Sequence, residues 1–189
     1  MSTNCTDAER LLLLRLQGSD EQALATLMRG HYSSLYNYAR RFIKRDEIIK
    51  DAIQEVFISL WQRRDAAASI LSLRYYLLGA VKNKALKALQ KNGQHLSVDE
   101  HYDFEVEFPI EKNIIEKQLA EEKALKLKSI IAGLSDRQKE MIYLKFYHQL
   151  DHGQIAGLMG ISQQSVYNLL HESIQKLKKC WQAELLMKT

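Results

Sequence analysis

Residues 152–171 read HGQIAGLMGISQQSVYNLLH, and this stretch decides what kind of fold the chain takes. Ile155, Ala156 and Met159 recur at helical spacing, and Val166, Leu169, Leu170 and Ser173 form the inward stripe of a second helix. Gly160 stands between them, where a sharp helix-to-helix turn calls for a positive φ that penalises any Cβ. Ser162 is a good N-cap for the second helix, Ala156 is small where the helices approach, and Ile161 can plug the turn. The pattern predicts a helix-turn-helix, whose second helix enters a DNA major groove. Gln163, Gln164, Tyr167, Asn168 and His171 then face outward. Glutamine and asparagine amides both donate and accept, as reading base edges requires. A plain αα-hairpin with solvated amides is the competing reading. The glycine, the alanine and the apolar positions standing in one register favour DNA.

Outward from that stretch, the rest of the chain also reads as helices. One proline and 8 glycines leave little punctuation in 189 residues, and 46% hydrophobic content is ordinary for a folded protein. A formal net charge of +4 says little by itself, but its distribution says more. No acidic residue occurs between Asp65 and Asp99, while Arg74, Lys82, Lys84, Lys87 and Lys91 fall inside. Cys5 and Cys180 stand near opposite ends, without the spacing of a disulfide framework or a zinc site. The one notable apolar run, Leu11 to Leu14, is too short to span a bilayer and lacks a basic leader. A cytoplasmic protein is expected.

Thr6-Asp7-Ala8-Glu9 is a capping box that opens a first helix, with Gly18 to close it, and Ser19-Asp20-Glu21-Gln22 repeats the device. Leu24, Leu27, His31, Leu35, Tyr38 and Phe42 trace the buried stripe of the second helix. Arg40, Arg41, Lys44 and Arg45 form a basic, solvated exit. A third helix follows from about Asp46 to Arg63. At ~100° per residue, Ile49, Ile53, Val56 and Leu60 share its core face. Ile58 and Trp61 project away from it, beside Asp51, Gln54 and Glu55, and a large aromatic so placed asks for a partner. After a small polar connection, a helix from about Leu73 to Gln90 buries Leu73, Leu77, Leu78, Val81, Ala85 and Leu89. Its other side carries the acid-free basic run with Tyr75 and Tyr76. Charges of that kind follow phosphates, and aromatic rings stack on unpaired bases.

Residues 92–110 read as a linker: Asn92-Gly93 opens it, Asp99, Glu100, Asp103, Glu105 and Glu107 make it acidic, and Pro109 marks its end. A helix over Glu111–Ala132, with Ile114, Ile115, Leu119, Leu125 and Ile130 inward, ends at Gly133. Ser135-Asp136-Arg137-Gln138 is a third capping box and leads into the helix-turn-helix. A basic helix then runs through Lys176, Lys178 and Lys179 to Trp181. The expected organisation is all-α: two small helical domains, 1–91 and 111–189, joined by a flexible acidic linker, 92–110.

Asp51-Ala52-Ile53-Gln54-Glu55-Val56-Phe57-Ile58-Ser59-Leu60-Trp61 resembles the D-x-x-Q-E-V-F-x-x-L-W signature of bacterial RNA polymerase sigma factors of the small extracytoplasmic-function (ECF) type. Gly133-Leu134-Ser135-Asp136-Arg137-Gln138-Lys139-Glu140, continuing through Leu177-Lys178, is similar to the C-terminal signature of the same family. The resemblance implies a region 2 helical bundle and a region 4 with its helix-turn-helix, binding core polymerase through the β′ clamp helices and the β flap. It implies that Asp51, Gln54, Glu55, Phe57 and Trp61 dock on the clamp helices. Arg74, Tyr76, Lys82, Asn83 and Lys84 fall in the part that takes the minus-ten element of promoter DNA. Ser162, Gln163, Gln164, Ser165, Tyr167, Asn168 and His171 fall in the reader of the minus-thirty-five element. It further implies an acidic linker threading the polymerase channel and a membrane-associated anti-sigma factor. The chain departs from the family at Lys87, Gln90, His152-Gly153, Tyr167 and Glu172-Ser173, several of them at the reading surface.

A stand-alone helix-turn-helix regulator would account for 152–171 but leaves the Asp51–Trp61 face without a purpose. Enzymatic function is not expected, because no phosphate-binding glycine loop or nucleophile elbow is present. His148 and His152 share an i, i+4 spacing that metals use, but no third ligand stands at a defined spacing, so neither metal nor cofactor is expected.

Overall fold

The computed structural model describes residues 5–91 and 127–186, with side chains up to 182. The chain divides into two compact units, Met1–Tyr102 and Asp103–Thr189. Every regular element among the described residues is helical. The acidic linker expected at 92–110 and residues 111–126 of the helix expected to follow it lie outside the described residues.

In the first unit, α1 (Asp7–Gln17) starts at the expected capping box: Thr6 Oγ1 accepts the Glu9 N–H at 3.2 Å, and the Thr6 N–H donates to Glu9 Oε2 at 2.8 Å. Helix α2 (Glu21–Ala39) departs from expectation. Its N-cap is Asp20, whose carboxylate accepts the N–H groups of Gln22 (2.9 Å) and Ala23 (3.2 Å). Ser19 cannot serve, because it takes the left-handed turn conformation (φ 63°) while an N-cap is extended. Gly18 closes α1 at an ordinary φ of −74°. Arg15, 2.7 Å from the Asp20 carboxylate, holds that carboxyl below the usual range and locks the turn.

Leu27, Leu35, Tyr38 and Phe42 are buried as the stripe predicts, with Leu24 and His31 half-buried. Arg41 is buried too, so the expected basic exit is reduced to Arg40, Lys44 and Arg45 at the surface. Helix α3 (Asp46–Gln62) packs against α2 and against α4 (Leu73–Lys91). All four expected core residues of α3 and all six of α4 are buried. The connection between them is a turn of 3₁₀ helix, Arg64–Ser69, that packs on α1 and buries Ala67. The chain start is fastened to the entry of α4: the Cys5 N–H donates to the Leu71 carbonyl at 2.9 Å. The Cys5 thiol donates to the Ile70 carbonyl and accepts the Leu73 N–H, both at 3.3 Å, and burial pushes its pKa up.

The second unit begins, within the described residues, at a helical turn over 127–132 that buries Ile130 and Ile131 before Gly133. Helix α5 (Asp136–Ile142) opens at the expected Ser135–Gln138 capping box. It then widens into a π-turn, Tyr143–Tyr147, that stacks the Tyr143 and Tyr147 rings 4.8 Å apart and sets both edge-on to His148. A second box, Asp151 with Gln154, opens α6 (His152–Met159). The long α7 (Gln163–Leu186) follows after Gly160. Leu134, Met141, Ile142, Leu144, Leu150, Ile155, Leu158 and Val166 make the core.

Candidate nucleic-acid and protein interfaces

The α6–α7 turn is built as the sequence predicts. Gly160 sits at φ 65° and closes α6 by donating to the Ala156 carbonyl. The Ile161 N–H reaches the same carbonyl at 3.1 Å. Ser162 caps α7, its Oγ accepting the Ser165 N–H at 3.1 Å and lying 2.8 Å from the Ser165 hydroxyl. Both serines are exposed, but their hydroxyls are engaged with each other in the cap. Val166 and Ser173 are buried, and Leu169 and Leu170 half-buried. Gln163, Gln164, Tyr167, Asn168 and His171 all stand on the exposed side.

Those outward side chains are partly organised in advance. The Gln164 Nε2 donates to Asn168 Oδ1 at 3.1 Å, which leaves Gln164 Oε1 to accept and the Asn168 amide to donate. That acceptor–donor pair matches the N6 and N7 edge of adenine. His171 and Gln175 pair one turn further on, their Nε2 atoms 3.0 Å apart. Tyr167 lies against His152 of α6, ring centroids 4.1 Å apart. The amide of Gln163 lies over Gly153, where a Cβ would come within 3.1 Å of Nε2.

On α3, Asp51, Gln54, Glu55 and Ile58 are exposed and face away from the core stripe. Trp61 is half-buried at the end of this row, with the Arg64 guanidinium 4.9 Å over its ring. That guanidinium is itself fixed, donating from Nε to Ser19 Oγ (2.9 Å) and from Nη1 to the Trp61 carbonyl (3.2 Å). Phe57 does not join this face. It is 2% exposed, because with Ile53 and Leu60 it makes an i, i+4, i+7 series on the core side. The same series is readable in the sequence from helical spacing alone.

On α4, Asn83 is exposed, and Arg74, Tyr76, Lys82 and Lys84 are half-buried. Lys84 Nζ lies 2.9 Å from Glu55 Oε2 on α3, so the residues expected to meet DNA and those expected to meet polymerase adjoin. Lys82 Nζ lies 5.9 Å from the centre of the Phe42 ring. His31 lies 3.2 Å from Glu9, yet burial and the charge of Arg74 outweigh that carboxylate and keep its pKa below the ordinary value. His148 and His152 sit on different elements, one ending the π-turn and the other opening α6. Among the described residues no three His, Cys, Asp or Glu side chains are grouped to hold a metal ion. No helix among them is long and apolar enough to cross a membrane.

One unit thus carries a helix-turn-helix that displays amides, the architecture of a DNA-binding protein, and the other a helical bundle with an outward acidic and aromatic row. Known proteins sharpen that class. Residues 27–95 match the family description "Sigma-70 region 2", and residues 124–177 match "Sigma-70, region 4". An ECF RNA polymerase sigma factor SigK of Mycolicibacterium vanbaalenii is 20% identical over 172 residues, covering 89% of this chain and 87% of that protein. The solved structure of CnrH in complex with the cytosolic domain of CnrY is similar at a TM-score of 0.55 and 20% identity, over 94% of this chain and 99% of that one. The sigma factor RpoE in complex with the anti-sigma factor NepR from Bartonella quintana is similar at a TM-score of 0.53 and 15% identity, over 84% and 96%. The chain belongs to the sigma-70 family, as a factor of the ECF type. It is a sigma factor that directs transcription, and that family consists of initiation factors rather than enzymes.

Proposed function

We propose that the first unit docks on the β′ clamp helices of core RNA polymerase through Asp51, Gln54, Glu55 and Trp61 of α3, and that Phe57 shapes this face from within the core. The observation that carries this is the outward row on α3 itself. It sets an aromatic ring, braced by Arg64, at one end of a strip of polar and acidic side chains that no core packing requires. A well-packed tryptophan rimmed by polar groups is the usual composition of an interface hot spot. The stand-alone regulator reading leaves this row idle.

Residues 1–91 then serve polymerase and the minus-ten element, with Arg74, Tyr76, Lys82, Asn83 and Lys84 along α4. Residues 92–110 form the acidic linker. Residues 111–189 engage the β flap and read the minus-thirty-five element through Gln163, Gln164, Tyr167, Asn168 and His171, while Ser162 and Ser165 set the start of that helix. The factor acts in the cytoplasm and is held by an anti-sigma factor at the membrane. Similar structures were captured with the cytosolic domain of CnrY and with NepR, which supports a partner of this kind. The test is co-purification of the full chain with core polymerase. Wild type is retained, and Trp61→Ala is released at least about tenfold more readily. Equal retention of a folded Trp61→Ala protein contradicts the docking face.

A further inference from the structure

We infer that His152, at the start of α6, is a specificity-determining positioning residue: its ring seats Tyr167 on α7 and so fixes which base pair Tyr167 meets. The inference rests on the reading of α7 as the DNA-contacting helix. Three observations carry it. The two rings are 4.1 Å apart, centre to centre, and inclined by 50°, a close tilted contact between different helices of the turn. Tyr167 is 51% exposed, so about half of it stays open to solvent beside the His152 contact. His152 Nε2 is buried with no hydrogen-bond partner among the described residues, although buried polar atoms are ordinarily paired.

An imidazole that forgoes a hydrogen bond in order to lie against a phenol is placed there for ring contact. Burial and the nearby charge of Lys145 also hold its pKa below the ordinary value, against the smaller opposing effect of Asp151. Its contact on α7 is the Tyr167 ring, so its influence on DNA runs through Tyr167. The neighbouring position works to the same end: Gly153 has no side chain to push the Gln163 amide off the first turn of α7. The start of α6 is thus a platform under the start of the reading helix. With its ring held, Tyr167 offers an apolar edge of the kind that meets a thymine methyl group in the major groove. Without His152 the ring is free to rotate away about its side-chain torsions.

The experiment uses core polymerase with the full chain, transcribing a pool of promoters randomised through the upstream element, with transcripts sequenced. Tyr167→Ala identifies the base pair that Tyr167 reads. His152→Ala and His152→Gln are expected to lose discrimination about tenfold at that same base pair, and to leave the pairs affected by Gln164→Ala unchanged. His152→Phe keeps a ring and is expected to retain discrimination within about twofold of wild type. The double variant H152A/Y167A should read like Tyr167→Ala alone. Thermal unfolding of each variant separates a folding defect from a reading defect, and His152→Phe decides the matter should the alanine variant fold poorly. Unchanged preference in folded His152→Ala beside altered preference in Tyr167→Ala overturns the inference. So does a loss spread evenly over all positions, or altered preference in His152→Phe. Unchanged preference in both Tyr167→Ala and Gln164→Ala overturns instead the reading of α7 on which it rests.

Discussion

Helices α3 and α7 both carry residues assigned to partners, and they hold them in opposite ways. On α3, seven side chains from Ile48 to Leu60 are buried, and two of the outward row, Glu55 and Trp61, are held by residues of other elements. Glu55 reaches Lys84 on α4, and Arg64, lying over Trp61, is anchored to Ser19 beyond α1. On α7, Val166 and Ser173 are the fully buried residues among the described side chains, and the outward amides bond within the helix, Gln164 to Asn168 and His171 to Gln175. Tyr167, against His152, and Gln163, over Gly153, are the outward residues at the start of α7 that reach α6. A surface fixed in shape suits docking on a preformed protein groove. Amides bonded only at i, i+4 can exchange those bonds for base edges at little cost, since each such pair is worth a few tenths of a kcal/mol.

The contrast is broken most forcefully at Phe57 and Trp61, four residues apart on α3. Phe57→Ala should lower the stability of the first unit by about 3–5 kcal/mol, the usual result of emptying a core aromatic site. Trp61→Ala should lower it by only about 1 kcal/mol, mainly through the lost contact with Arg64. Urea unfolding followed by circular dichroism compares them, and equal losses would mean that Trp61 is core after all. Gly160→Ala comes next: a Cβ at φ 65° should cost the second unit about 1–2 kcal/mol although space around it is open, measured by the thermal midpoint.

The turn before α2 gives a smaller effect. Asp20→Ala should destabilise by about 1 kcal/mol and Ser19→Ala by less than about 0.5 kcal/mol, because the carboxylate rather than the hydroxyl caps the helix. Reversal of that order in denaturant midpoints would restore Ser19 as the cap. The smallest effect is pH-dependent. The pKa of His31 is lowered in the folded state from its ordinary 6.5. The unfolded chain therefore binds more protons below that value, and folding stability falls as pH drops from about 6.5. His31→Gln should flatten the decline, as unfolding midpoints measured between pH 7.5 and pH 5.5 would show.

Local signals carried most of this architecture. The α4 stripe, the Thr6 and Ser135 capping boxes and the Gly160 turn depend on spacing within a few residues, and each stands where spacing puts it. The differences lie where spacing leaves two local outcomes open, or where neighbours far along the chain decide. Ser19 and Asp20 both suit an N-cap, and Arg15, drawing the Asp20 carboxylate across the turn, accompanies the outcome. Arg41 lies two residues past α2 in a basic cluster that spacing marks as solvated, yet the fold encloses it. The π-turn at Tyr143–Tyr147 has no periodic signature, since its aromatic side chains look like one more helical turn. The His152–Tyr167 contact joins two helices across Gly160, and the sequence shows the two residues without the approach of their rings.

In the proposed division of labour, one face of α3 recruits polymerase while the start of α7 selects the promoter. Transcription by core polymerase supplied with the purified chain, on a panel of promoters differing in the upstream element, tests it most directly. Trp61→Ala should lower transcripts from every promoter alike. Gln164→Ala should reorder the promoters, with discrimination at one or two base pairs reduced by about 1–3 kcal/mol. Lys178→Ala, an exposed position further along α7, should weaken all promoters evenly and make the salt dependence shallower. A Trp61→Ala protein that reorders promoters, or a Gln164→Ala protein that only scales them, would contradict the division of labour between the two helices.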